Sequence, residues 1–346
     1  MKKIFIIHAI LAALLFGLST PFSKLLLNKD SSPIMLAALF YLGAALFLLP
    51  FKIKEFKKEI GELLKNKKDL KRILGAILFG GILGPVCLLY GIKFTSASSA
   101  SLLLNMETVA TSVLAFFIFK EHISKNVLIS SILTVLAGVI LVVDFNLQVN
   151  YGGLLIILAC LSWGFDNNFT ANVESISPTV NTIIKGLFAG TFNLMMAFII
   201  GDSYIEIVDV FYALFIGFIA YGLSIVLYIS SARGIGASRS QIIFAINPFL
   251  GSLISFLIFR SVLNIEFIIA LCLMIIAVCI LYYEKHAHEH THHELDHTHE
   301  HTHDDDHHNH THKGQSKTTK HTHKHNHKKI SHTHSHYPDI HHKHEH

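Results

Sequence analysis

The side chains of this chain that could bind or move a solute are a few polar groups inside long apolar runs. Glu107 stands in LLLNMETVA, and Asp166, Asn167 and Asn168 stand together in LSWGFDNNFTA. An ionisable side chain within an apolar span costs roughly 2.5–3.5 kcal/mol on insertion scales, so it usually faces a cavity or a partner. A carboxylate there can take up a proton or neutralise a cationic solute, or it can hold helices together by hydrogen bonds. Both roles stay open for Glu107 and Asp166.

Other residues are candidates for the wall of the same site. Trp163 is the only tryptophan and lies beside Asp166. Lys24 lies in the first apolar run, where it can reach the membrane surface or pair with Glu107 or Asp166. The predicted residues of a solute or coupling site are therefore Glu107, Asn105, Asp166, Asn167, Asn168, Asn247, Trp163, Tyr90, Tyr228 and Lys24.

A second kind of chemistry is confined to the C-terminal end. Of the 26 histidines, all but His8 and His122 lie between His286 and His346. Imidazole suits Zn²⁺, Ni²⁺ and Co²⁺, so a flexible His-x-His chain can wrap such ions without selecting one. A patch that responds to pH and a tolerated low-complexity extension are the other two interpretations. The predicted metal ligands are His286, His288, His290, His292, His293, His297, His299, His301, His303, His307, His308, His310 and His312.

Ten apolar stretches must position the polar groups of the body, and each is about long enough to cross a bilayer as a helix. The tail, by contrast, has almost no apolar residue and should be disordered without a ligand. The basic segment 51–72 can form either a helix on the membrane surface or a plain connector, and both interpretations stay open. We therefore predict an all-α integral membrane protein with a disordered tail and helices near 4–27, 33–51, 73–92, 98–119, 126–144, 152–173, 179–200, 209–230, 238–259 and 264–283.

Composition and charge agree with a membrane protein and argue against other classes. Only 15% of the residues are charged, against about a quarter in soluble domains. The four cysteines form no CxxC pair, which argues against a disulfide framework or a thiolate metal site. The basic residues flank apolar runs without interleaved aromatic residues, so no nucleic-acid partner is expected. Their distribution predicts that both termini lie in the cytoplasm, and we expect the membrane to be the plasma membrane.

The apolar body contains an internal repeat. LLFGLSTPFSK (14–24) matches LSWGFDNNFTA (161–171), and TSVLAFFIFK (111–120) matches GSLISFLIFR (251–260). An odd number of spans in each copy forces the two copies into opposite orientations, which is the architecture of many secondary transporters. We predict one five-helix repeat at 1–145, a second at 146–285, and the histidine-rich tail at 286–346.

The same segments resemble the EamA family of the drug/metabolite transporter superfamily, and within it a subgroup with a histidine-rich C-terminal tail. The resemblance implies ten helices in an inverted five-plus-five fold, with both termini inside. Glu107 stands where many relatives carry a proline, whereas Asn247-Pro248 keeps the pattern, so a helix break is inferred more safely in the ninth helix than in the fourth. The matching pieces are FGLSTPFSKLLL (16–27), 96–123, SWGFDNNFTANV (162–173), 181–201, 221–253 and the tail that begins YYEKHAHEHTH.

We therefore expect a secondary membrane transporter of a small metabolite or organic solute, coupled to protons or driven by the solute gradient. The alternative is a transporter, buffer or sensor of a divalent metal (Zn, Ni or Co) or a metal complex that uses the tail. No nucleophile elbow, phosphate loop or HExxH pair occurs, so an enzyme is not expected. The expected partners are the solute, membrane lipid, protons and divalent metals. No cofactor is expected to be required, and the oligomeric state is left open.

Overall fold

A computed structural model describes residues 2–119, 125–143, 148–235, 237–260, 263–282, 287–292, 295–301, 321–327 and 330–335. These residues belong to two compact units, one helical, within Met1–Glu284, and one formed by the tail, within Lys285–Tyr337. Each unit is treated separately below.

Ten helices, α1 to α10, form the helical unit as the structure describes it. Nine are long and apolar enough to cross a membrane, and α10 is a shorter apolar helix. Large apolar side chains such as Phe117 and Phe211 face outward from the bundle, which suits contact with lipid. The bounds are α1 Lys3–Leu27, α2 Pro33–Lys65, α3 Lys67–Phe94, α4 Ala97–Ile118, α5 Lys125–Val142, α6 Tyr151–Ala171, α7 Pro178–Ile199, α8 Ile207–Ile235, α9 Ser240–Phe259 and α10 Ile265–Tyr282.

The two halves of the bundle repeat the same helix caps and π-helical segments, which confirms the predicted five-plus-five fold. Ser32-Pro33 opens α2 and Ser177-Pro178 opens α7, with each serine capping its helix. A seven-residue π-helical segment interrupts α3 at Ile77–Leu83 and α8 at Gly217–Leu223. Because the structure describes ten helices, the start of α1 and the end of α10 lie on the same side of the bundle. We call that the terminal side and the other the opposite side.

Helices α4 and α9 are both broken near the middle of the bundle. The first helical segment of α4 ends at Leu103 and the second begins at Met106, while α9 stops at Phe244 and resumes at Asn247. Asn105 and Asn247 each donate their side-chain amide to the carbonyl three residues earlier. Because asparagine competes for backbone hydrogen bonds in this way, α4 breaks without the proline.

Glycines let the central helices approach closely. A Cβ atom on Gly186 of α7 would lie 2.6 Å from the carbonyl oxygen of Tyr41 in α2, and one on Gly84 of α3 would lie 2.6 Å from the indole nitrogen of Trp163 in α6. Close contacts of this kind are the usual basis of helix association in membranes. They bring α2, α3, α6 and α7 together around the polar groups.

The segment 51–72 differs from both expectations for it. Helix α2 runs without interruption through Pro50 to Lys65, and α3 begins at Lys67 after a cap by Asn66. The segment is therefore neither a separate surface helix nor a connector. Lysine and glutamate residues in this segment form pairs three or four residues apart, as in Lys58–Glu62. This spacing supports a helix that extends into solvent.

In the tail, where disorder was expected, the structure describes four short strands. They are β1 (Ala287–His292), β2 (Leu295–His301), β3 (His321–His327) and β4 (Ile330–Ser335). Strand β1 pairs with β4 and β2 pairs with β3, both antiparallel. Alternation of histidine with other polar residues has the two-residue period of a strand, although almost no apolar residue is present to build a core.

Candidate functional site

A cavity of about 160 Å³ lies in the terminal-side half of the bundle. Ala115, Ala171 and Leu281, which lie near the terminal-side ends of α4, α6 and α10, belong to its lining. Most of the other lining residues come from α4, α6, α8 and α9, and α1, α2 and α7 contribute single side chains. The polar side chains in the lining are Tyr41, Glu107, Thr108, Thr111, Ser112, Trp163, Asp166, Asn167, Asn168, Thr170, Asn172, Lys185, Tyr221, Tyr228 and Gln241.

A buried ion pair is the main electrostatic feature of this cavity. Lys185 Nζ of α7 lies 2.6 Å from Asp166 Oδ2 of α6, and the two side chains are only 3% and 9% exposed. The second carboxylate oxygen accepts a hydrogen bond from the Thr170 hydroxyl at 3.0 Å. Burying two charges is costly unless their geometry is good and their remaining hydrogen bonds are made. The pair therefore places one cation and one anion beside the cavity at a fixed separation.

Glu107 forms a second polar centre on the α4 side. Its Oε1 accepts a hydrogen bond from Asn167 Nδ2 at 2.8 Å, and the same amide lies 3.2 Å from Thr111 Oγ1. Glu107 stands in the first turn of the second segment of α4, where the helix dipole favours a negative charge. The break in α4 thus orients a carboxylate toward the cavity.

The consecutive polar residues of α6 face different partners. Asp166 binds Lys185 and Asn167 binds Glu107, whereas Asn168 donates to the carbonyls of Thr111 and Gly164 at 3.0 and 2.8 Å. Asn168 therefore joins α6 to α4 as well as lining the cavity. Of the three, Asp166 and Asn167 contact the two charged centres.

Aromatic side chains form the midplane wall of the cavity. Trp163 donates its indole N–H to the carbonyl of Gly80 at 3.0 Å, and the Tyr41 hydroxyl binds the same oxygen. The π-helical segment of α3 makes this carbonyl available, because its wider turn disrupts the usual backbone pairing. Tyr221 and Phe244 complete the wall through ring contacts with Phe16 at 5.7 and 5.5 Å.

A rim of polar side chains borders the cavity on the side of α8 and α9. The Tyr228 hydroxyl donates to Gln241 Oε1 at 2.5 Å, and the Gln241 amide lies 3.3 Å from Thr108 Oγ1. These bonds connect α4, α8 and α9 across the cavity. A shift of one of these helices would therefore change the hydrogen bonding of the rim.

Six of the ten predicted site residues line the cavity and four do not. Asn105 and Asn247 are used at the helix breaks, so their amides bind backbone instead. Lys24 donates to the carbonyls of Ile92, Lys93 and Thr95, and Tyr90 donates to Asp202 at 2.8 Å, both near the opposite side. The six that line the cavity are Glu107, Asp166, Asn167, Asn168, Trp163 and Tyr228.

Several cavity residues were not predicted from the sequence. Lys185 was not among the predicted site residues, because a lysine near a helix start can extend to the membrane surface; here it pairs with Asp166. Lys185 lies seven residues after Pro178, the first residue of α7, which is too deep in the helix for its ammonium to reach water easily. This spacing was the available signal for a buried partner. Tyr41 and Tyr221 lie in apolar runs with no feature that distinguishes them from residues facing lipid.

Matching aspartates connect the repeats on the two sides of the bundle. Asp209 at the start of α8 binds Lys29 of the α1–α2 loop at 2.8 Å, and this bond raises the pKa of the Lys29 ammonium. Asp69 at the start of α3 accepts the backbone N–H groups of Glu174 and Ser175 in the α6–α7 loop. Each repeat thus holds the first loop of the other through a buried carboxylate.

The structure describes the backbone of some of the predicted metal ligands and none of their side chains. His286, His293, His303, His307, His308, His310 and His312 lie outside the described residues. The backbone of the other six lies on β1 and β2. In the part of the chain whose side chains are described, no group of three or more His, Cys, Asp or Glu residues could hold a metal ion.

Comparison with known proteins identifies relatives of the whole helical unit. The model of the EamA-like transporter family matches residues 3–143 and again residues 150–283. An "uncharacterized transporter" of Methanothermobacter thermautotrophicus is 26% identical over 80% of this chain and 85% of its own length. Another, of Clostridium kluyveri, is 24% identical over 82% of this chain and 94% of its own length.

One solved crystal structure has a similar fold. It has a TM-score of 0.56 and 15% identity, and the match covers 78% of this chain and 98% of that chain. At this identity the similarity concerns the fold alone.

Proposed function

Because the chain belongs to the EamA-like transporter family, we propose that it is a secondary carrier that binds a small organic solute in the cavity beside Asp166 and Lys185. The single observation that supports this site best is the buried ion pair, which borders the cavity although two charges are expensive to bury. Charged groups inside a membrane bundle usually mark a substrate or ion pathway. The protein is a multi-pass membrane transporter. The class of solute and its binding site in the cavity are proposals.

The lining suggests the chemistry of the solute. The cavity offers a cation at Lys185 and anions at Asp166 and Glu107, with aromatic faces such as Tyr221 and Trp163 toward the midplane. A solute with a polar or charged group and a compact apolar part matches this arrangement. The volume of about 160 Å³ suits a small metabolite.

Transport is favoured over catalysis by the kind of groups that surround the cavity. Its carboxylates and amides are arranged for hydrogen bonding and charge pairing, and the hydroxyls of Tyr41 and Tyr228 bind neighbouring helices. The Thr170 hydroxyl bonds to the Asp166 carboxylate, but Lys185 holds that carboxylate in an ion pair, which weakens it as a base that could activate a nucleophile. Inverted repeats, by contrast, suit a carrier whose two halves alternate in exposing a midplane site.

We expect the membrane to be the plasma membrane and both termini to lie in the cytoplasm. The basic residues support this orientation, since the sequence predicts sixteen Lys and Arg on the terminal side and three on the opposite side. The cavity would then lie in the cytoplasmic half. Accessibility of Lys125→Cys and Asn264→Cys to impermeant thiol reagents from each side would test the orientation.

Glu107 is the proposed proton-coupling residue. Its carboxylate is buried beside the cavity and accepts a hydrogen bond from Asn167, which can also pair with a protonated carboxyl after a rotation of the amide. We expect Glu107→Gln to remove the dependence of solute flux on a pH gradient, because glutamine holds the hydrogen bond without exchanging a proton.

The measurement is solute uptake into vesicles at several imposed pH differences. Glu62→Gln on the exposed end of α2 is the matched control and should behave like the wild type, since its contact with Lys58 is a weak surface pair at 3.9 Å. A pH dependence of flux that persists in Glu107→Gln would remove Glu107 from this role.

The histidine tail is proposed as an accessory metal-binding extension. Truncation after Glu284 should abolish high-capacity binding of Zn²⁺ or Ni²⁺ to the purified protein and leave solute flux within about twofold of the wild type, because the described residues that line the cavity belong to the helical unit. Isothermal titration with ZnCl₂ and vesicle uptake test the two parts. Loss of solute flux on truncation would favour the alternative, a metal or metal-complex carrier that uses the tail.

A further inference from the structure

Besides Ser19 and Asn105, five side chains in α1, α4 and α9 each have a buried oxygen atom without a hydrogen-bond partner in the described part of the chain. No described residue pairs with the hydroxyls of Ser23, Ser98, Ser101 and Ser255 or with the side-chain oxygen of Asn247. All five residues are at most 4% exposed. We call these five residues the polar seam. Unpaired buried hydroxyls are rare in native proteins, because each gives up its bonds to water without replacement.

The polar seam extends from the midplane into the opposite-side half of the bundle, where the helices are tightly packed. The Ser252 hydroxyl of α9 binds the carbonyl of Ser98 in α4 at 3.2 Å. A Cβ atom on Gly251 would lie 2.9 Å from both Ser101 Oγ of α4 and the Gly17 carbonyl of α1. Such close packing leaves little room for a water molecule between the three helices.

The internal repeat relates the polar seam to the cavity. The matches of 14–24 with 161–171 and of 111–120 with 251–260 each have a constant spacing along the chain, 147 and 140 positions. When these spacings are applied to the polar seam, four of its members fall on residues that line the cavity. The pairs are Ser23 with Thr170, Ser101 with Gln241, Asn247 with Glu107, and Ser255 with Ala115.

We propose that the polar seam is the closed second half of the solute path and becomes a water-filled, hydroxyl-lined channel when the opposite side opens. This inference rests on the proposed carrier function, since inverted repeats exchange conformations between the two states. Water and solute supply the missing hydrogen bonds in that state. The unpaired hydroxyls destabilise the closed packing and thereby keep the two states close in free energy.

The two halves of the path differ in charge. At the spacing of 147 the counterpart of Asp166 is Ser19, and at the spacing of 140 the counterpart of Glu107 is the neutral Asn247. At these repeat-related positions the ionic groups lie on the cavity side, and Lys24, adjacent to the polar seam in the sequence, is bound to backbone carbonyls. A solute leaves the ion pair and then meets neutral hydroxyls, so it is held tightly at one end of the path and released at the other.

Cysteine accessibility tests the channel directly. In the full chain with its four native cysteines replaced by alanine, Ser23→Cys, Ser101→Cys and Ser255→Cys are exposed in oriented vesicles to a charged methanethiosulfonate that does not cross membranes. We expect all three to react from the opposite side at least tenfold faster than Ser130→Cys. Ser130 is a matched buried control whose hydroxyl binds Ala277 at 2.7 Å, between α5 and α10.

Reaction no faster than that of Ser130→Cys, or reaction from the terminal side alone, would overturn the proposal. Ser112→Cys in the cavity lining reports that the reagent reaches the protein from the terminal side. Solute flux is measured on the same vesicles. Intact flux with unreactive seam cysteines refutes the channel alone, whereas reactive cysteines without flux of any solute refute the carrier function.

A second variant pair tests whether the hydroxyls are truly unpaired. Ser101→Ala should raise the thermal midpoint by about 2 °C or more, because it removes an unpaired polar group from the closed packing. Ser130→Ala should lower the midpoint, because it removes a hydrogen bond. A fall of the midpoint in Ser101→Ala equal to that in Ser130→Ala would contradict the proposal.

Discussion

Replacing Lys185 with methionine should destabilise the protein by about 3–5 kcal/mol and abolish solute flux. The change leaves the Asp166 carboxylate buried at the cavity without its cation, and removal of one partner from a buried pair has an effect of this size. Thermal unfolding of the purified protein measures the stability, and vesicle uptake measures the flux. Asp166→Asn should have a comparable effect on both, since it leaves the ammonium unpaired.

The double variant Asp166→Asn/Lys185→Met separates stability from function. Replacing both charges by groups of similar volume is often neutral or stabilising, so the double variant should recover most of the stability lost by either single variant. Flux should stay absent, because the proposed binding charges are gone. Recovery of flux together with stability would show that the pair only holds α6 to α7.

Gly80→Ala should reduce flux at least tenfold and destabilise the protein by about 1–3 kcal/mol. A Cβ atom on Gly80 would overlap the carboxylate of Asp166 and lie 2.7 Å from its Cβ atom, so α3 and α6 must separate or the ion pair must move. Its carbonyl also accepts hydrogen bonds from Trp163 and Tyr41. Thermal unfolding and uptake are again the measurements.

Gly61→Ala is the matched control for this change. Gly61 lies in α2 with nothing within 4 Å of an added Cβ atom, so alanine there should be neutral or stabilise by up to about 1 kcal/mol. If Gly80→Ala and Gly61→Ala have the same flux and the same thermal stability, α3 does not constrain the ion pair.

The number and order of the helices could be predicted because the length of an apolar run needs no knowledge of packing. The end of α2 was wrong because the lysines and glutamates after Pro50 resemble a loop in composition. The composition does not indicate that a helix that begins in the membrane continues into water. The break in α4 was left in doubt because Asn105, and not a proline, makes it.

The cavity could be predicted where a polar residue is rare in its surroundings, as Glu107 and Asp166 are. The sequence does not show where a side chain points, so Asn247 was assigned to the site although its amide binds Phe244. It also does not show which charges meet. Lys24 and Lys185 were both available to Asp166, and only the packing of α6 against α7 selects Lys185.

The central claim is that a solute is carried through the cavity beside Asp166 and Lys185. Its most direct test is an untargeted comparison of solutes in cells that produce either the wild-type protein or Asp166→Asn/Lys185→Met at equal membrane levels. We predict that at least one small organic solute with a charged group changes in the wild type and not in the double variant. The same solute change in both, or no difference between wild-type cells and cells without the protein, would contradict the account.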